Sequence, residues 1–524
     1  KFEDIKNFNF NSKNLRKKIS RYRKELTNIF NKIHDKKYDE NYWGLILDRL
    51  LFLLINAILI ELRTIKKIYP KKNIIEINEL KFKSFFLDSD DFIRNYETNL
   101  TQPYIRYLIC KNLGFKESLI KKITINKQIS LIENKKFNFG SYFELFLRFC
   151  VRKYINIFKP FLIVDGYIPK KNCFILFLKS KGKILAIPNK YIFSKKNFKN
   201  TKKNFQLRKF FKVQEKDFID KMFNLLFSKF MPASYLENYK KYNKEIDSLK
   251  SLKIVGTAIS LIYNDHFKYL SAEINKNKGK IFNFQHGGLI GYLKYDHDVT
   301  INNKYSSKVF SWNEGKNFSE NYFKKFKKIN NAEIKAKRQL LIYPTRIKIK
   351  YNYNQCVYKK NHPYLNYNYS FYSGLEKKIK DETFIKTFPN EISKKSSEIW
   401  IEKFGKNINL IYEKKNDLFN KYRLVVLDDF STPLCELLYI GTPFIIINDE
   451  MKWLKENIVQ KLRKLKKLNI LFSSPESAYK FLNKNYSNIP LWWRENIKSP
   501  IFKDVKKALI PTGREESILS LLDK

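Results

Sequence analysis

Residues 424–447 read LVVLDDFSTPLCELLYIGTPFIII. The apolar runs Leu424–Leu427 and Phe444–Ile447 each predict a buried strand, because a short apolar run is typical of a strand that is covered on both faces. Between these runs, Ser431 and Thr432 are placed to begin a helix, and Pro433 fits its first turn. A strand, a helix and a second strand in this order predict a βαβ unit with parallel strands.

The same alternation of short apolar runs and helical patterns continues along most of the chain. Further strands are predicted at 161–164, 183–187, 252–255, 280–284, 309–312, 340–343, 383–386 and 470–472. Such alternation is typical of the α/β class, with parallel sheets covered by helices on both faces. The polar segment Lys327–Lys337 interrupts it. We therefore predict two doubly wound, Rossmann-like domains that face each other across a cleft, at residues 1–330 and 331–524.

The N-terminal part has a different pattern. Residues 1–40 are amphipathic and rich in Lys, which predicts a helical arm on the surface. Tyr42–Ile68 is apolar on nearly every face and predicts a core helix. Its most apolar stretch, Leu50–Ile60, has only about half of the roughly 20 residues that a membrane span needs, so we expect a buried helix. Another helix is predicted at Phe318–Phe326.

The chain has a large excess of positive charge, with 103 Lys and Arg against 51 Asp and Glu and a formal net charge of +52. Such a field attracts nucleic acid, anionic lipid or phosphorylated substrates. The Lys residues are spread evenly, whereas nucleic-acid-binding proteins concentrate their charge in a patch or tail. We therefore attribute most of the charge to overall composition and expect no nucleic-acid partner. An anionic membrane surface is kept as a partner for the N-terminal arm.

The five Cys residues are widely spaced: Cys110, Cys150, Cys173, Cys356 and Cys435. No two of them form a CxxC pair, which predicts reduced thiols in the cytoplasm and neither a disulfide framework nor a zinc site. The chain also lacks the P-loop, HExxH, GxSxG and protein-kinase motifs. Asp296 and Asp298 resemble a metal-binding pair only loosely. We expect neither a metal nor a cofactor.

Polar residues at predicted strand ends are candidates for a functional site, because ligands of open parallel sheets bind beyond the carboxyl ends of the strands. Gly256 and Thr257 follow one strand, at a turn where a Gly allows close approach and the next helix offers N–H groups to an anion. A strand-to-helix turn needs a small residue in any case, so both interpretations stay open.

A Gly-rich loop, Gln285-His286-Gly287-Gly288, follows the strand predicted at 280–284. A His on a loop that approaches a ligand closely can act as a base, or when protonated as a partner for phosphate. The structural alternative is a tight turn whose His bonds only the backbone. We predict a functional loop with His286 as the catalytic base, and Asp165 and Asp296 as the other candidates.

Two stretches of the second half are candidates for holding an anionic donor. Lys386 ends a predicted strand, where its charge would neutralise phosphate, although a surface Lys has the same pattern. Asp429, Ser431, Thr432 and Glu436 belong to the stretch quoted first. A helix that begins at Ser431 and Thr432 presents its positive end to an anion. Glu436, expected in the first turn of that helix, is placed to reach ribose hydroxyls.

The stretch from Asp429 to Pro443 resembles the nucleotide-binding segment of GT-B glycosyltransferases, in which a Glu contacts the donor ribose and a Ser-Thr helix start holds the phosphate. Three stretches are similar to a transferase family from bacterial surface-carbohydrate gene clusters: Ile254–Gly291, Phe384–Pro389 and Ser431–Phe502. The QHG loop also resembles that of Kdo and capsule sugar transferases, which use CMP-activated donors, and that of polyol-phosphate transferases. The chain departs from these relatives at Lys386, where an Arg is expected, and at Phe388-Pro389, where the Kdo enzymes have His-Pro.

The resemblance implies a GT-B-like glycosyltransferase in the cytoplasm, peripheral on the inner face of the membrane, that needs no metal. It would move a sugar from a nucleotide-activated donor, such as a CMP-linked Kdo-like sugar or nonulosonic acid, to a cell-surface glycan or glycolipid acceptor. Two alternatives stay open. One is a CDP-glycerol-type polyol-phosphate transferase, and the other is a non-enzymatic basic protein that binds membrane or nucleic acid. The latter leaves the pattern at 431–443 unexplained.

Overall fold

The structure of the chain is a computed structural model. It describes residues 12–68, 75–76, 86–96, 101–114, 120–121, 139–194, 201–288, 290–294, 297–312, 318, 321–335, 337, 339–344, 363–387, 391–412, 418–510 and 516–522. Asp296, Cys356, Phe388 and Pro389 lie outside these ranges, as do residues 1–11 of the predicted N-terminal arm.

Two parallel five-stranded sheets form the centre of the described structure. The strands are β1 (Ile75–Glu76), β2 (Ile120–Lys121), β3 (Phe161–Val164), β4 (Ile184–Ile187), β5 (Ile254–Thr257), β6 (Lys280–Phe284), β7 (Lys308–Phe310), β8 (Leu340–Tyr343), β9 (Thr383–Lys386), β10 (Asn409–Ile411), β11 (Leu424–Leu427) and β12 (Phe444–Ile446). The first sheet has the order β4-β3-β5-β6-β7, and the second has the order β10-β9-β8-β11-β12. A short parallel pair, β1 and β2, is separate from both sheets.

Helices connect the strands and cover the sheets. They are α1 (Ser12–His34), α2 (Glu40–Ile68), α3 (Ser89–Tyr96), α4 (Thr101–Leu113), α5 (Phe139–Phe158), α6 (Lys170–Lys179), α7 (Phe205–Arg208), α8 (Phe218–Phe230), α9 (Tyr239–Ile246), α10 (Ser260–Tyr263), α11 (Asp265–Lys276), α12 (His297–Tyr305), α13 (Asn331–Lys335), α14 (Pro363–Gly374), α15 (Lys377–Asp381), α16 (Glu391–Phe404), α17 (Thr432–Ile440), α18 (Glu456–Arg463), α19 (Pro475–Asn485), α20 (Ile489–Asn496) and α21 (Pro500–Leu509).

The strand orders confirm the predicted fold class of two doubly wound α/β units. In the second sheet the first strand in sequence, β8, is central, and the chain winds outward from it in both directions, as in dinucleotide-binding folds. The interior strands β3 and β11, each with a neighbouring strand on both sides, are buried at all four positions, because helices cover both faces of each sheet. The order reverses between β3 and β5 in one sheet and between β8 and β11 in the other. Ligands of such sheets bind at these reversals.

Helix α1 packs into the core, so the prediction of a surface arm is wrong. Its buried residues recur every three or four positions: Leu15, Ile19, Tyr22, Leu26 and Phe30. They share one apolar cluster with α2, which contains the stretch Leu50–Ile60 and is buried as predicted. The Lys residues misled the interpretation because a high Lys content suggested a solvated helix, whereas Lys18 is itself buried and paired with Asp220. Among the helices that the structure describes, none is long and apolar enough to cross a membrane.

The link between the two sheets is also different from the prediction. A helix was expected at Phe318–Phe326, but the described residues 321–326 of this stretch form a 3-10 turn at Tyr322–Lys325. Phe318 is buried against the first sheet, whereas Phe323 is buried in the cluster of the second. The segment therefore crosses between the halves. Its aromatic residues pack into the cores of both halves instead of lying on one side of a helix. The strand predicted at 470–472 is reduced to a single bridge between Leu471 and Ile446.

The end of the described chain returns to the first half. Ile518 and Leu521 are buried in the cluster that contains Phe161 of β3 and Phe310 of β7. Glu516 forms an ion pair with Lys308 at the start of β7. Residues 516–522 therefore pack on the first sheet, although the predicted boundary at residue 330 places them with the second.

Asp220 of α8 holds α1 in place. Lys18 donates to its carboxylate at 2.5 Å, and Arg21 and Tyr22 donate to the same oxygen. Burial alone would raise the pKa of Asp220, but the hydrogen bonds from Arg21, Lys18 and Tyr22 outweigh it and lower the pKa. The ionised form therefore stabilises the fold above the ordinary Asp pKa of about 3.9, and this contribution is lost only as the pH falls through the lowered value.

We expect Asp220→Asn to reduce the free energy of unfolding by about 3 kcal/mol at neutral pH, since breaking one side of a buried ion pair leaves uncompensated charge. Urea denaturation measures this loss. Asp247→Asn is the matched control, because Asp247 pairs with Lys250 on the surface and such pairs contribute less than about 1 kcal/mol. Equal losses in the two variants would contradict the role of Asp220.

Candidate functional site

The two halves meet through loops that follow the carboxyl ends of strands. The loop after β6 contacts the start of α17, where the backbone N–H of Gly288 donates to Oγ1 of Thr432 at 2.9 Å. A second contact joins the N–H of Lys294 to the carbonyl oxygen of Trp453 at 2.9 Å. The sequence-predicted loop at 285–288 and the predicted helix start therefore lie side by side, in the cleft between the two sheets.

Gly288 permits this contact because it has no side chain. A Cβ at this position would lie 2.8 Å from the Cα of Thr432, 2.9 Å from its backbone nitrogen and 3.0 Å from Sγ of Cys435. Backbone atoms cannot move aside as a flexible side chain can. At Gly287, in contrast, the nearest neighbour of a Cβ would be Ile290 at 3.5 Å, an ordinary van der Waals contact.

The side chain of Gln285 shapes the loop. Its Oε1 accepts a hydrogen bond from the N–H of Trp312 at 2.7 Å, and its Nε2 donates to the carbonyl oxygen of Gly287 at 2.8 Å. The residue is buried. Both ends of the amide are therefore bonded within the first half, so the contacts of Gln285 favour support of the loop over direct contact with a donor.

The start of α17 is arranged for an anion. Ser431 is the N-cap residue, but its hydroxyl donates to Oδ1 of Asp429 at 2.7 Å instead of accepting from the helix. Among the described residues, no side chain caps the first N–H groups of this helix. Oγ1 of Thr432 accepts from Gly288, which leaves its hydroxyl hydrogen able to donate. Pro433 has no N–H, and the N–H of Leu434 donates to the carbonyl oxygen of Ser431. The donors that the positive end of the helix offers to a negative group therefore belong to Thr432.

Glu436 lies one position beyond the first turn of α17, in which the sequence analysis had expected it. The hydroxyl of Tyr322 donates to its Oε1. Burial raises the pKa of Glu436, while the bond from Tyr322 and the charge of Lys325 oppose the shift. Lys325 lies over the Tyr322 ring, 3.7 Å from its centre. The carboxylate is thus held by one donor and one nearby cation.

His286 faces one aromatic residue of the cleft, Tyr167. The ring of Tyr167 lies 5.7 Å from His286 and 6.2 Å from Tyr322, so Tyr167 links the Gly-rich loop to the partner of Glu436. Burial lowers the pKa of His286, although the charge of Asp298 and a hydrogen bond to the backbone of Ala258 oppose the shift. His286 is therefore neutral at pH 7. Its Nδ1 atom is buried and has no hydrogen-bond partner among the described residues. A neutral imidazole suits a base better than a cationic phosphate partner. The backbone bond to Ala258 belongs to the structural alternative, so both interpretations of this loop stay open.

Asp165 joins three loops at the end of the first sheet. Its Oδ1 accepts from the N–H of Asn189 at 3.1 Å, and its Oδ2 accepts from the hydroxyl of Ser260 at 3.0 Å. Its own carbonyl oxygen accepts from the N–H of Ala258. The backbone adopts a left-handed conformation, with φ of 48°. Because both carboxylate oxygens are engaged, these contacts favour a positioning role over that of a free base.

A pocket of about 360 Å³ opens beside Asp165 at the ends of β3 and β4. Tyr167, which is 43% exposed, forms part of its wall. Lys170 and Cys173, from the first turn of α6, line another side. Ile187 at the end of β4 and Pro188, which follows it, also contribute. The pocket combines apolar surface with a few polar groups, which is typical of small-molecule sites.

Gly256 and Thr257 have structural contacts. A Cβ at Gly256 would lie 2.9 Å from the Phe284 ring and 3.1 Å from the Phe161 ring. Gly256 is therefore needed because any side chain would clash with these two core rings. The hydroxyl oxygen of Thr257 accepts from the N–H of Ser260 at 2.8 Å. These contacts favour the structural interpretation that the sequence left open.

Lys386 is buried at the end of β9, and its ammonium group donates to the carbonyl oxygen of Thr387 at 2.7 Å. It is therefore not a solvated surface Lys. Asp428 follows β11 of the same sheet, and its carboxylate accepts from the side chain of Asn368 at 2.6 Å. Lys386 and Asp428 therefore both lie at the carboxyl ends of strands of the second sheet, the side on which α17 begins.

The third base candidate, Asp296, lies outside the described residues. Asp298 forms an ion pair with Arg49 of α2. Within the part of the chain that the structure describes, no group of three or more His, Cys, Asp or Glu side chains is placed to hold a metal ion.

Three residues of the cleft escaped the sequence analysis: Tyr167, Tyr322 and Lys325. Tyr167 follows directly after Asp165-Gly166, and its place after a strand end was a usable signal. Tyr322 and Lys325 gave none, because they belong to the crossing segment that the sequence had assigned to a helix. Their role follows only from the fold, which brings this segment beside Glu436.

Comparison with known proteins gives two findings. A family model described as LIC12162 family transferase matches residues 1–508. Among solved structures, a Listeria monocytogenes protein assigned as a UDP-N-acetylglucosamine 2-epimerase is similar, with 11% identity, a TM-score of 0.32, and coverage of 68% of this chain and 92% of the other. A similarity at that score carries no argument about function. No curated protein matches the chain.

We expect Gly288→Ala to destabilise the junction of the two halves, because the added methyl group meets the backbone of Thr432. Overpacking of this kind costs roughly 1–3 kcal/mol, which urea denaturation measures. Gly287→Ala is the matched control: it adds the same atom one residue earlier at ordinary contact distances and should change stability by less than about 0.5 kcal/mol. If both variants are equally stable, the two loops do not meet as described.

Proposed function

Because the chain belongs to the LIC12162 family of transferases, we propose that it is a glycosyltransferase that moves a sugar from a nucleotide-activated donor to a cell-surface glycan or glycolipid acceptor. The observation that carries this proposal is the contact between Gly288 of the first half and Thr432 at the positive start of α17. A donor whose phosphate lies at that helix start has its sugar beside His286, in the cleft between the sheets.

The second half binds the donor. The phosphate accepts from the backbone N–H and the hydroxyl of Thr432 at the start of α17, and Lys386 adds positive charge at the same edge of the sheet. Glu436 contacts the ribose with the carboxylate oxygen that Tyr322 does not occupy. Asp429 supports this arrangement by holding the Ser431 hydroxyl away from the helix N–H groups.

The first half supplies the base. His286 is neutral at pH 7 because burial lowers its pKa, so it can accept the proton of an acceptor hydroxyl as that oxygen attacks the sugar. Negative charge that develops on the leaving phosphate is stabilised by the helix start and by the nearby cations. This chemistry uses the residues of the chain and places no demand on a metal ion.

The pocket beside Asp165 is suited to the acceptor. It opens at the strand reversal of the first sheet, and Tyr167 joins its wall to His286. An exposed aromatic ring next to a base can pack against the face of a sugar while leaving the hydroxyl free to react. Asp165 shapes this pocket by joining the three loops around it.

We propose a cytoplasmic location from the widely spaced Cys residues. We also propose a CMP-linked donor, such as a Kdo-like sugar or nonulosonic acid, from the resemblance of the QHG loop. Product analysis tests the choice of reaction. A glycosidic bond supports the glycosyltransferase, whereas a phosphodiester bond in the product assigns the cleft to a polyol-phosphate transferase.

The first experiment is a thermal-shift panel of CMP, CDP, UDP, GDP and ADP at physiological salt. We expect one nucleotide to stabilise the wild type, by about 2.7 kcal/mol at 100-fold excess over its Kd, and to lose most of this effect in Glu436→Ala. Glu476→Ala is the control, since Glu476 is an exposed residue of the same half. Equal, salt-sensitive shifts from every nucleotide in all three proteins would instead reflect the net charge alone.

The second experiment tests the base. We expect His286→Ala to lower kcat by on the order of 100-fold or more while nucleotide stabilisation is unchanged. In the wild type, kcat/KM should fall as the pH is lowered, with its midpoint below the ordinary His pKa of about 6.5, because burial lowers the pKa of His286. Full turnover by the variant would remove His286 from the reaction.

A further inference from the structure

Helix α5 has an apolar surface on the side that faces away from the core. Ile155 is its buried residue, and Val151, one turn earlier, packs against the same core. Phe146 precedes Ile155 by nine positions, which is two and a half helical turns, so it lies on the opposite side of the helix. Its side chain is 61% exposed. Phe149 and Ile157, which lie on the same side, are 58% and 69% exposed.

This distribution is the reverse of that in an ordinary surface helix, whose outward side is polar. Phe143 and Phe158 add to the exposed surface at 56% and 63%. We call these five residues the aromatic face: Phe143, Phe146, Phe149, Ile157 and Phe158. Contiguous apolar surfaces of this kind mark sites of interaction with a protein or a membrane.

Helix α6 continues the aromatic face around the edge of the first sheet. The ring of Tyr154 lies 4.7 Å from Phe158 of α5 and 5.7 Å from Phe177 of α6. Phe174 and Leu178, on the outer side of α6, are 63% and 57% exposed. Two successive helices therefore expose large apolar side chains next to each other.

The charge around this surface is strongly positive. Residues 139–183 contain nine Lys and Arg residues and only two acids, Glu144 and Asp165. Glu144 is paired with Arg148, and Asp165 lies in the pocket described above. Lys153 lies within the aromatic face, with its ammonium group 5.1 Å from the centre of the Phe149 ring. Exposed lysines also begin and end α6.

We propose that the aromatic face docks on an anionic lipid bilayer surface. Aromatic and aliphatic side chains enter the boundary between headgroups and acyl chains, while lysines extend their ammonium groups to lipid phosphates. A second copy of the chain is a poorer partner, because it would bring two surfaces of the same positive charge together. Ile155 packs the other side of α5 on the protein core, so the helix lies along the membrane.

This docking surface is different from helix α1, whose apolar side is buried in the core. Lys170 joins the docking surface to the candidate pocket, since α6 begins at the pocket and carries Phe174 one turn later. A bilayer bound at the aromatic face thus lies next to the cleft. The proposal does not rest on the proposed reaction, because docking is measured without turnover.

The test is co-sedimentation of the full chain with phosphatidylcholine vesicles, with and without phosphatidylglycerol, at physiological salt. We expect the wild type to bind only the vesicles that contain phosphatidylglycerol. Phe146→Ser with Phe149→Ser should need at least roughly tenfold more lipid, since two exposed Phe side chains no longer enter the bilayer. The matched control is Tyr412→Ser with Leu491→Ser, two exposed apolar residues of the second half, which should bind as the wild type does.

Several outcomes would overturn the proposal. One is a wild type that binds neither kind of vesicle or both equally, and another is a Phe146/Phe149 variant that binds like the wild type. A dimer that binds no vesicles and that these substitutions convert to a monomer, measured by light scattering, would assign the face to a second copy. A wild type that binds no vesicles, together with a Phe146/Phe149 variant that unfolds at a lower temperature, would mean that another part of the chain covers the aromatic face.

Discussion

The missing side chain of Gly288 allows the backbone of the first half to approach the start of α17 in the second. Its N–H bonds directly to Thr432, at a distance that no Cβ would permit. The rest of the candidate site depends on this contact. His286 precedes Gly288 by two residues, and Glu436 follows Thr432 by about one helical turn. The base candidate and the donor-binding candidate thus belong to different halves and meet because two backbones touch.

Burial then sets the charge of the cleft. It raises the pKa of Glu436 and lowers that of His286, because removal from water disfavours the charged form of each. Tyr322 and Lys325 oppose the first shift. The carboxyl group of Glu436 thus has a hydrogen-bond donor and a cation beside it, while the start of α17 and Lys386 add positive charge in the second half. An anionic donor suits such an environment.

Two amphipathic helices show how the same kind of pattern leads to opposite placements. Helix α1 is rich in Lys and looked like a surface arm, yet its apolar side is packed against α2 and held by Asp220. Helix α5 packs on the core through Ile155, yet its outward side is aromatic. Periodicity identifies the apolar side of a helix. It does not identify what covers that side, because the neighbour comes from distant parts of the chain.

Local pattern determined the elements of this protein. The apolar runs that became β3, β8 and β11 were recognisable because strands covered on both faces need apolar residues at nearly every position. The helix start at Ser431 and the loop at 285–288 were recognisable from capping and glycine chemistry. Only the tertiary structure decided which polar groups meet. Tyr167, His286, Tyr322 and Glu436 are far apart in sequence, and the packing of two sheets and a crossing segment brings them to one cleft.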